Sequence, residues 1–135
     1  MKLNNETIKL INLFEMLTGA RVKDCFEYNE KILFIVNNGD IKKVVANRGS
    51  KIKKLEGMIK KKIKVVEYSD DIVEFLKSFI SPIKVVSIEN VDNIIEIKAD
   101  DTRERGILIG RDRKNLDNLK NVVRKYFDVV DIKIV

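Results

Sequence analysis

No histidine and no tryptophan occur in the 135 residues of this chain. The first absence removes the commonest general base and metal ligand. The second, with only three tyrosines, argues against recognition of bases by broad stacking on exposed aromatics. A single cysteine, Cys25, excludes an internal disulfide; in a strand it reads as a small buried residue. One proline and six glycines leave no flexible Gly/Ser linker. The apolar runs fall far short of the roughly 20 residues of a membrane span. The first residues lack the basic-then-apolar pattern of a secretory signal. A soluble intracellular protein with no membrane association is therefore expected. The carboxylate pairs Asp70-Asp71 and Asp100-Asp101 stand where helices should begin and read as caps. No catalytic constellation stands out, so no enzymatic activity, cofactor, metal or small-molecule substrate is expected.

What is present is charge, unevenly spread. Lys and Arg number 27 against 21 Asp and Glu, a net charge of +6. Residues 1–68 carry 15 basic and 8 acidic residues, whereas residues 69–135 carry 12 and 13. Between Lys42 and Lys64 there are ten basic residues and one acid, Glu56. Such concentration suits a polyanion, and nucleic acid is the usual one. A lysine-rich solvated helix face accounts for the same numbers. Apolar residues, at 44%, suffice for a core, and the length fits one domain or two very small ones.

The chain reads as one pattern used twice. Shifted by 64 positions, Val45-Ala46-Asn47-Arg48-Gly49 lies over Ile109-Gly110-Arg111-Asp112-Arg113. Ile52, Leu55, Met58, Ile59 and Ile63 lie over Leu116, Leu119, Val122, Val123 and Phe127, and Val65-Val66 over Val129-Val130. The first half opens with a helix over 5–18, capped by Asn4 or Asn5, ended by Gly19 and striped with Ile8, Ile11, Phe14 and Leu17. A strand over 21–28 carries Val22, Phe26 and Tyr28 on one side, with Asp24 breaking the alternation. Asn29-Glu30 turns into the strand Lys31 to Val36. A short helix over 40–46, the loop Ala46-Asn47-Arg48-Gly49, and a helix over 51–61 follow. Ser50 is its candidate cap, and Ile52, Leu55, Met58 and Ile59 face inward. Residues 62–68 make a third strand.

The second half repeats this order. A helix over 70–80 places Ile72, Phe75, Leu76, Phe79 and Ile80 on one face and ends at Ser81-Pro82. Strands follow over 83–89 and 94–98, then a short helix ending near Leu108. The loop Gly110 to Arg113, a helix over 114–126 and a strand over 128–134 complete it. Each half is α-β-β-α-α-β, so the fold class is α+β with two tandem domains, 1–68 and 69–135. The join at Tyr68-Ser69-Asp70 has no linker, and rigid packing of the halves is expected.

A tight loop between two helices leaves the first N–H groups of the second helix free, and with the helix dipole they suit an anion. Glycine there admits a phosphate backbone without a Cβ in the way. A G-x-x-G loop clamping about four nucleotides is the mark of a KH domain. Ile107, Leu108 and Ile109 would anchor the helix before the second loop and floor its groove. The order α-β-β-α-α-β is that of the type II, or prokaryotic, KH fold, with a three-stranded mixed sheet packed on helices.

The chain resembles the archaeal NusA-like transcription termination and elongation proteins, which carry two type II KH units in tandem. Three segments carry the resemblance: VANRGSKIKKLEGMIKKKIKVVEYSDDIVEFL (Val45 to Leu76), SPIKVVSIE (Ser81 to Glu89) and GILIGRDRKNLDNLKNVVRKYFDVVDIKIV (Gly106 to Val135). VVEYSDD, Val65 to Asp71, is the most specific stretch. The resemblance implies a cytoplasmic factor that binds single-stranded RNA, acts with RNA polymerase and has no catalytic centre. Both loops depart from the family's I-G-x-x-G. Ala46 replaces the first glycine of one, and Arg113 replaces the last glycine of the other. Ala46 is tolerable if its φ stays negative. Arg113 either blocks the backbone or reaches a phosphate itself.

The candidate RNA contacts are Ala46, Asn47, Arg48, Gly49, Ser50, Lys51, Lys53 and Lys54 in the first half. In the second they are Gly110, Arg111, Asp112, Arg113 and Lys114, of which Asp112 repels phosphate. Lys60, Lys61, Lys62 and Lys64 either extend a phosphate track or are solvated. Against these stand exposed interhelical turns that happen to be basic. A different class of function, a KH-fold adaptor docking on RNA polymerase or a ribosomal particle, fits the near-neutral second half. A ribosome-associated factor recognising structured RNA and a DNA binder are further readings.

Overall fold

A computed structural model describes residues 5–135. The chain divides after Ser69 into two compact units. The first contains α1 (Asn5–Thr18), β1 (Val22–Tyr28), β2 (Lys31–Val36), α2 (Ile41–Ile59) and β3 (Ile63–Glu67). The second contains α3 (Ile72–Ile80), β4 (Val85–Val91), β5 (Ile94–Ala99), α4 (Thr102–Ile109), α5 (Lys114–Val123) and β6 (Asp131–Ile134). Each holds a three-stranded mixed sheet, ordered β1-β2-β3 or β4-β5-β6, with one antiparallel and one parallel pairing. The α+β architecture matches the sequence expectation. Asn4, one of the two candidate caps of α1, lies outside the described residues.

Each hairpin turns on two residues in the left-handed region, Asn29 and Glu30 in one unit and Asp92 and Asn93 in the other. Positive φ at both central positions gives the turn whose twist matches the flanking strands. Just inside each antiparallel pair sits an irregularity, between Val22 and Asp24 and again between Val85 and Ser87. This corrects the expected face of β1. The alternation breaks not at Asp24 but at Lys23, which has no partner on β2 between Val22 and Asp24; this bulge adds a residue and exchanges the faces on either side. Val22 therefore packs with Cys25, Phe34 and Val36 toward the helices. Phe26 lies opposite Leu33 on the other face.

The first core gathers Phe14, Ala20, Cys25, Ile32, Phe34, Val36, Val44 and Leu55. The rings of Phe14 and Phe34 stack with centroids 4.1 Å apart. Burying each such side chain is worth about 1.5–3 kcal/mol. Thr18 closes α1 by donating its hydroxyl to the Phe14 carbonyl (2.8 Å) and accepting from the Ala20 N–H (3.1 Å). Two residues expected inward are not: Ile8 is 45% and Met58 55% exposed. Leu10, Leu13, Ile52 and Ile59 pack, partly buried, against the core cluster. In the second unit α3 buries all five expected residues. Phe75 meets the rings of Phe79, Tyr126 and Phe127 at 5.8, 5.9 and 5.4 Å.

The two units part company after their last helix. Leu55 and Leu119 are both buried, and α2 and α5 end at the matching Ile59 and Val123. From there the first unit reaches Ile63 on its parallel strand, opposite Ile32; the second reaches Ile132, opposite Ile95. The second connection is longer by five residues. Val65-Val66 therefore does not correspond to Val129-Val130, nor Ile63 to Phe127. The structural partner of Val65 is Ile134, since each faces the matching residue of the central strand, Phe34 or Ile97. Nor do residues 128–130 belong to the last strand. The Arg124 side chain donates to the carbonyls of Val129 (3.3 Å) and Val130 (2.9 Å), and Val130 N–H donates to Asn93 O (2.8 Å). Those backbone groups are satisfied outside the ladder.

Candidate nucleic-acid interface

The helical run α2 is broken where the loop was expected. Ala46 has φ −53° and ψ 145°, and Asn47, Arg48 and Gly49 follow in the left-handed region at φ 55°, 59° and 71°. These residues interrupt the helix with a kink, and a second helical run begins after them. Ala46 keeps a negative φ, so the methyl group that replaces the first glycine costs nothing in backbone strain. Gly49 takes the third left-handed position, and a Cβ there would meet nothing within 4 Å. The space above it is open to a ligand backbone.

The second loop reaches the same ending differently. Gly110 has φ 75° and ψ 172°, a region essentially reserved for glycine. A Cβ on it would lie 2.6 Å from the Asn115 side chain. Asn115 is held there because its amide donates to the Ile107 carbonyl at 2.9 Å. No sequence signal marks Asn115 for this role; only the folded loop brings it over Gly110. Asp112 (φ 55°) and Arg113 (φ 63°) then match Arg48 and Gly49. Arg113 thus occupies, with a side chain, the conformation its counterpart meets with glycine.

The loops present their cations freely. Asn47, Arg48, Ser50, Lys53 and Lys54 are exposed, as are Arg111, Asp112, Arg113 and Lys114, while Gly49, Lys51 and Gly110 are half-buried. Among the described residues none of the arginines and lysines of these two sets forms an ion pair. Other cations are already spent: Lys43 on Asp40, Lys61 on Glu27, Lys77 on Glu74 and Lys120 on Asp131. The hydrogen bonds from Lys61 and Lys120 hold the Glu27 and Asp131 carboxyls below the usual carboxylate range.

Several expected members behave otherwise. The Ser50 hydroxyl caps nothing and has no partner among the described residues. Lys64 is not part of an exposed track. It stands in β3 opposite Leu33, half-buried, and burial, then Lys31, lowers the pKa of its ammonium. Of the three residues before the second loop only Leu108 is buried, while Ile107 is 42% exposed. The start of α2 is served by a group the sequence did not flag. Asp40 is its first flanking residue, but the Asp40 carboxylate accepts from Arg21 N–H (2.8 Å), which lowers its pKa. The Glu67 carboxylate, from the end of β3, accepts from Gly39 N–H (2.8 Å) and Ile41 N–H (3.5 Å) instead. At α3 and α4 Asp71 and Asp101 cap as expected, accepting from Val73 N–H and Glu104 N–H.

The chain is thus a tandem α+β protein in which each unit exposes a cationic interhelical loop. No protein-family model matches it. Curated relatives do. It is 34% identical, over all of its length and 80% of the relative's, to the probable transcription termination protein NusA of Methanococcus vannielii. It is 28% identical, over 75% of the relative's length, to the protein of the same name from Methanocaldococcus jannaschii. The Halobacterium salinarum protein of that name is 25% identical, with 98% of its length covered. The crystal structure of APE1850 superposes with a TM-score of 0.71 at 27% identity, covering 98% of this chain and 100% of that one. The chain belongs to the archaeal NusA-like transcription termination protein family. Among the described residues no helix is long and apolar enough to cross a membrane.

Proposed function

We propose that the two units are type II KH domains and that the protein is a non-catalytic transcription factor binding single-stranded RNA through its two interhelical loops. The residues that would carry the contact are Ala46 to Lys51 with Lys53 and Lys54, and Gly110 to Lys114. The observation that carries this reading is the set of exposed cations around each left-handed loop, which form no ion pair among the described residues. In the first unit the open space over Gly49 admits the phosphate backbone, with Arg48 and Lys51 beside it. In the second the cation Arg113 stands in the place of the glycine, so phosphate contact there comes from the guanidinium. The names of the relatives support action in transcription termination; an effect on elongation and RNA polymerase as the protein partner are part of this proposal. A second reading, an adaptor that docks on RNA polymerase, is favoured by Val86, Val91 and Val130, exposed on the near-neutral second unit.

Fluorescence anisotropy with randomised short RNA and matched DNA over a salt series tests the proposal. The protein is compared with Arg48→Asp/Lys51→Asp and with Arg111→Asp/Arg113→Asp. RNA binding that weakens with salt and falls in one or both variants is expected. Each phosphate contact removed should lower the slope of log K against log salt by about 0.7. Absence of binding at low salt, or binding indifferent to both variants, sinks the loop reading and leaves the adaptor.

A further inference from the structure

The far end of the same helix carries a second cationic feature. A surface depression is lined by Lys53, Glu56, Gly57, Lys60, Lys61 and Lys62. Lys61 is tied to Glu27 at 2.8 Å, and the Glu56 carboxylate accepts from Ile63 N–H at 2.8 Å. Lys53, Lys60 and Lys62 are exposed, and their ammonium groups have no partner among the described residues. Three full positive charges outweigh both the remaining Glu56 charge and the roughly half-charge of a helix C-terminus.

Gly57 is the second, independent sign. It lies inside the helix, where glycine is disfavoured relative to alanine. Its φ is not positive, and a Cβ on it would meet nothing within 4 Å. Neither conformation nor packing within the protein calls for glycine there. Its missing side chain bares the backbone in the lining of a basic depression, where another chain's backbone can approach.

We propose that this depression is a second phosphate-binding site of the first unit. It takes the backbone of the same single-stranded RNA beyond the segment held at the Ala46–Gly49 loop. The inference rests on the RNA-binding reading above. At about 1.5 Å per residue, Lys60 lies about 16 Å along the helix from Gly49. Four stacked nucleotides span about 10 Å and ten span about 31 Å, at about 3.4 Å per step. A tetranucleotide that starts at the loop stops short of Lys60, and a decanucleotide that starts there passes it. Lys53, one turn before Gly57, bridges the two.

The test compares randomised RNA of four and ten nucleotides on the full chain by anisotropy, with amide NMR shifts followed at Gly57 and Lys60. The variants are Lys60→Glu/Lys62→Glu and Gly57→Leu, the latter a strong helix former that keeps the fold. Both variants should weaken decanucleotide binding and leave tetranucleotide binding unchanged. Losing two phosphate contacts, at about 0.7 each, makes the wild-type affinity for the decanucleotide fall roughly 7-fold more than the variant's between 50 and 200 mM salt. Decanucleotide binding unchanged in both variants overturns the second site while the loop reading stands. An equal loss at both lengths overturns it as well, because the effect is then general charge. If the unaltered protein binds neither length, the loop reading fails first and takes this site with it.

Discussion

Replacing Arg113 by glycine should make this protein more stable. Arg113 sits at φ 63° and ψ 17°, close to the φ 71° and ψ 23° of its counterpart Gly49. For a residue with a Cβ, the left-handed conformation costs roughly 1–2 kcal/mol. Its side chain is exposed and has no partner to lose among the described residues. Glycine relieves the strain but gives the unfolded chain more freedom, about 0.4–1 kcal/mol. The balance is a gain of about 0.5–1 kcal/mol, which for a unit of this size raises the melting temperature by about 2–8 °C. Removing a cation near Arg111 and Lys114 relieves repulsion too, but for exposed charges that is worth only a few tenths of a kcal/mol and is screened by salt. Arg113→Ala separates the two causes, because it removes the charge and keeps the Cβ. Thermal unfolding of both variants in high salt is the assay. A stabilised glycine variant beside an unimproved alanine variant is expected. If both gain equally, or if glycine gains nothing, the strain account of this loop is refuted.

Glu67→Ala should lower the urea midpoint by the equivalent of about 1–2 kcal/mol at unchanged slope, because it strips the start of α2 of its acceptor. Glu67→Gln, which keeps an acceptor oxygen, should lose less, and an alanine variant as stable as the parent would show that water replaces the carboxylate at no cost. The Cys25 thiol is 1% exposed and is pushed up from 9.0 to about 12, first by burial and then by the Asp24 charge. Its folded pKa lies above its unfolded one, so its contribution to stability is complete below about pH 9 and is lost as pH rises from 9 toward 12. A thiol reagent at pH 8 should therefore label Cys25 only as fast as the first unit opens, and rapid labelling of the folded protein would contradict its placement beside Phe34.

Much of this protein was legible in its sequence. The order of elements, the division near Ser69, the capping by Asp71 and Asp101 and the two loops between helices all follow from local signals: apolar period, cap residues and turn residues a few positions apart. Those signals are local because helix caps and turns are closed by groups that are neighbours along the chain. The tertiary structure decided what depends on partners far away in sequence. The bulge between Val22 and Asp24 fixed which face Val22 joins, since strand faces are set by pairing with β2. The longer connection from Val123 to Ile132 broke the apparent match of Val65-Val66 with Val129-Val130, since parallel register is set by the central strand and not by spacing. Glu67 became the acceptor for α2, and Glu27 claimed Lys61, because the sheet carries them there. The loops divide in the same way. Their residues stand in the sequence, but that Ala46 escapes the left-handed region and Arg113 does not is a property of the folded backbone, where φ is imposed by the helices on either side.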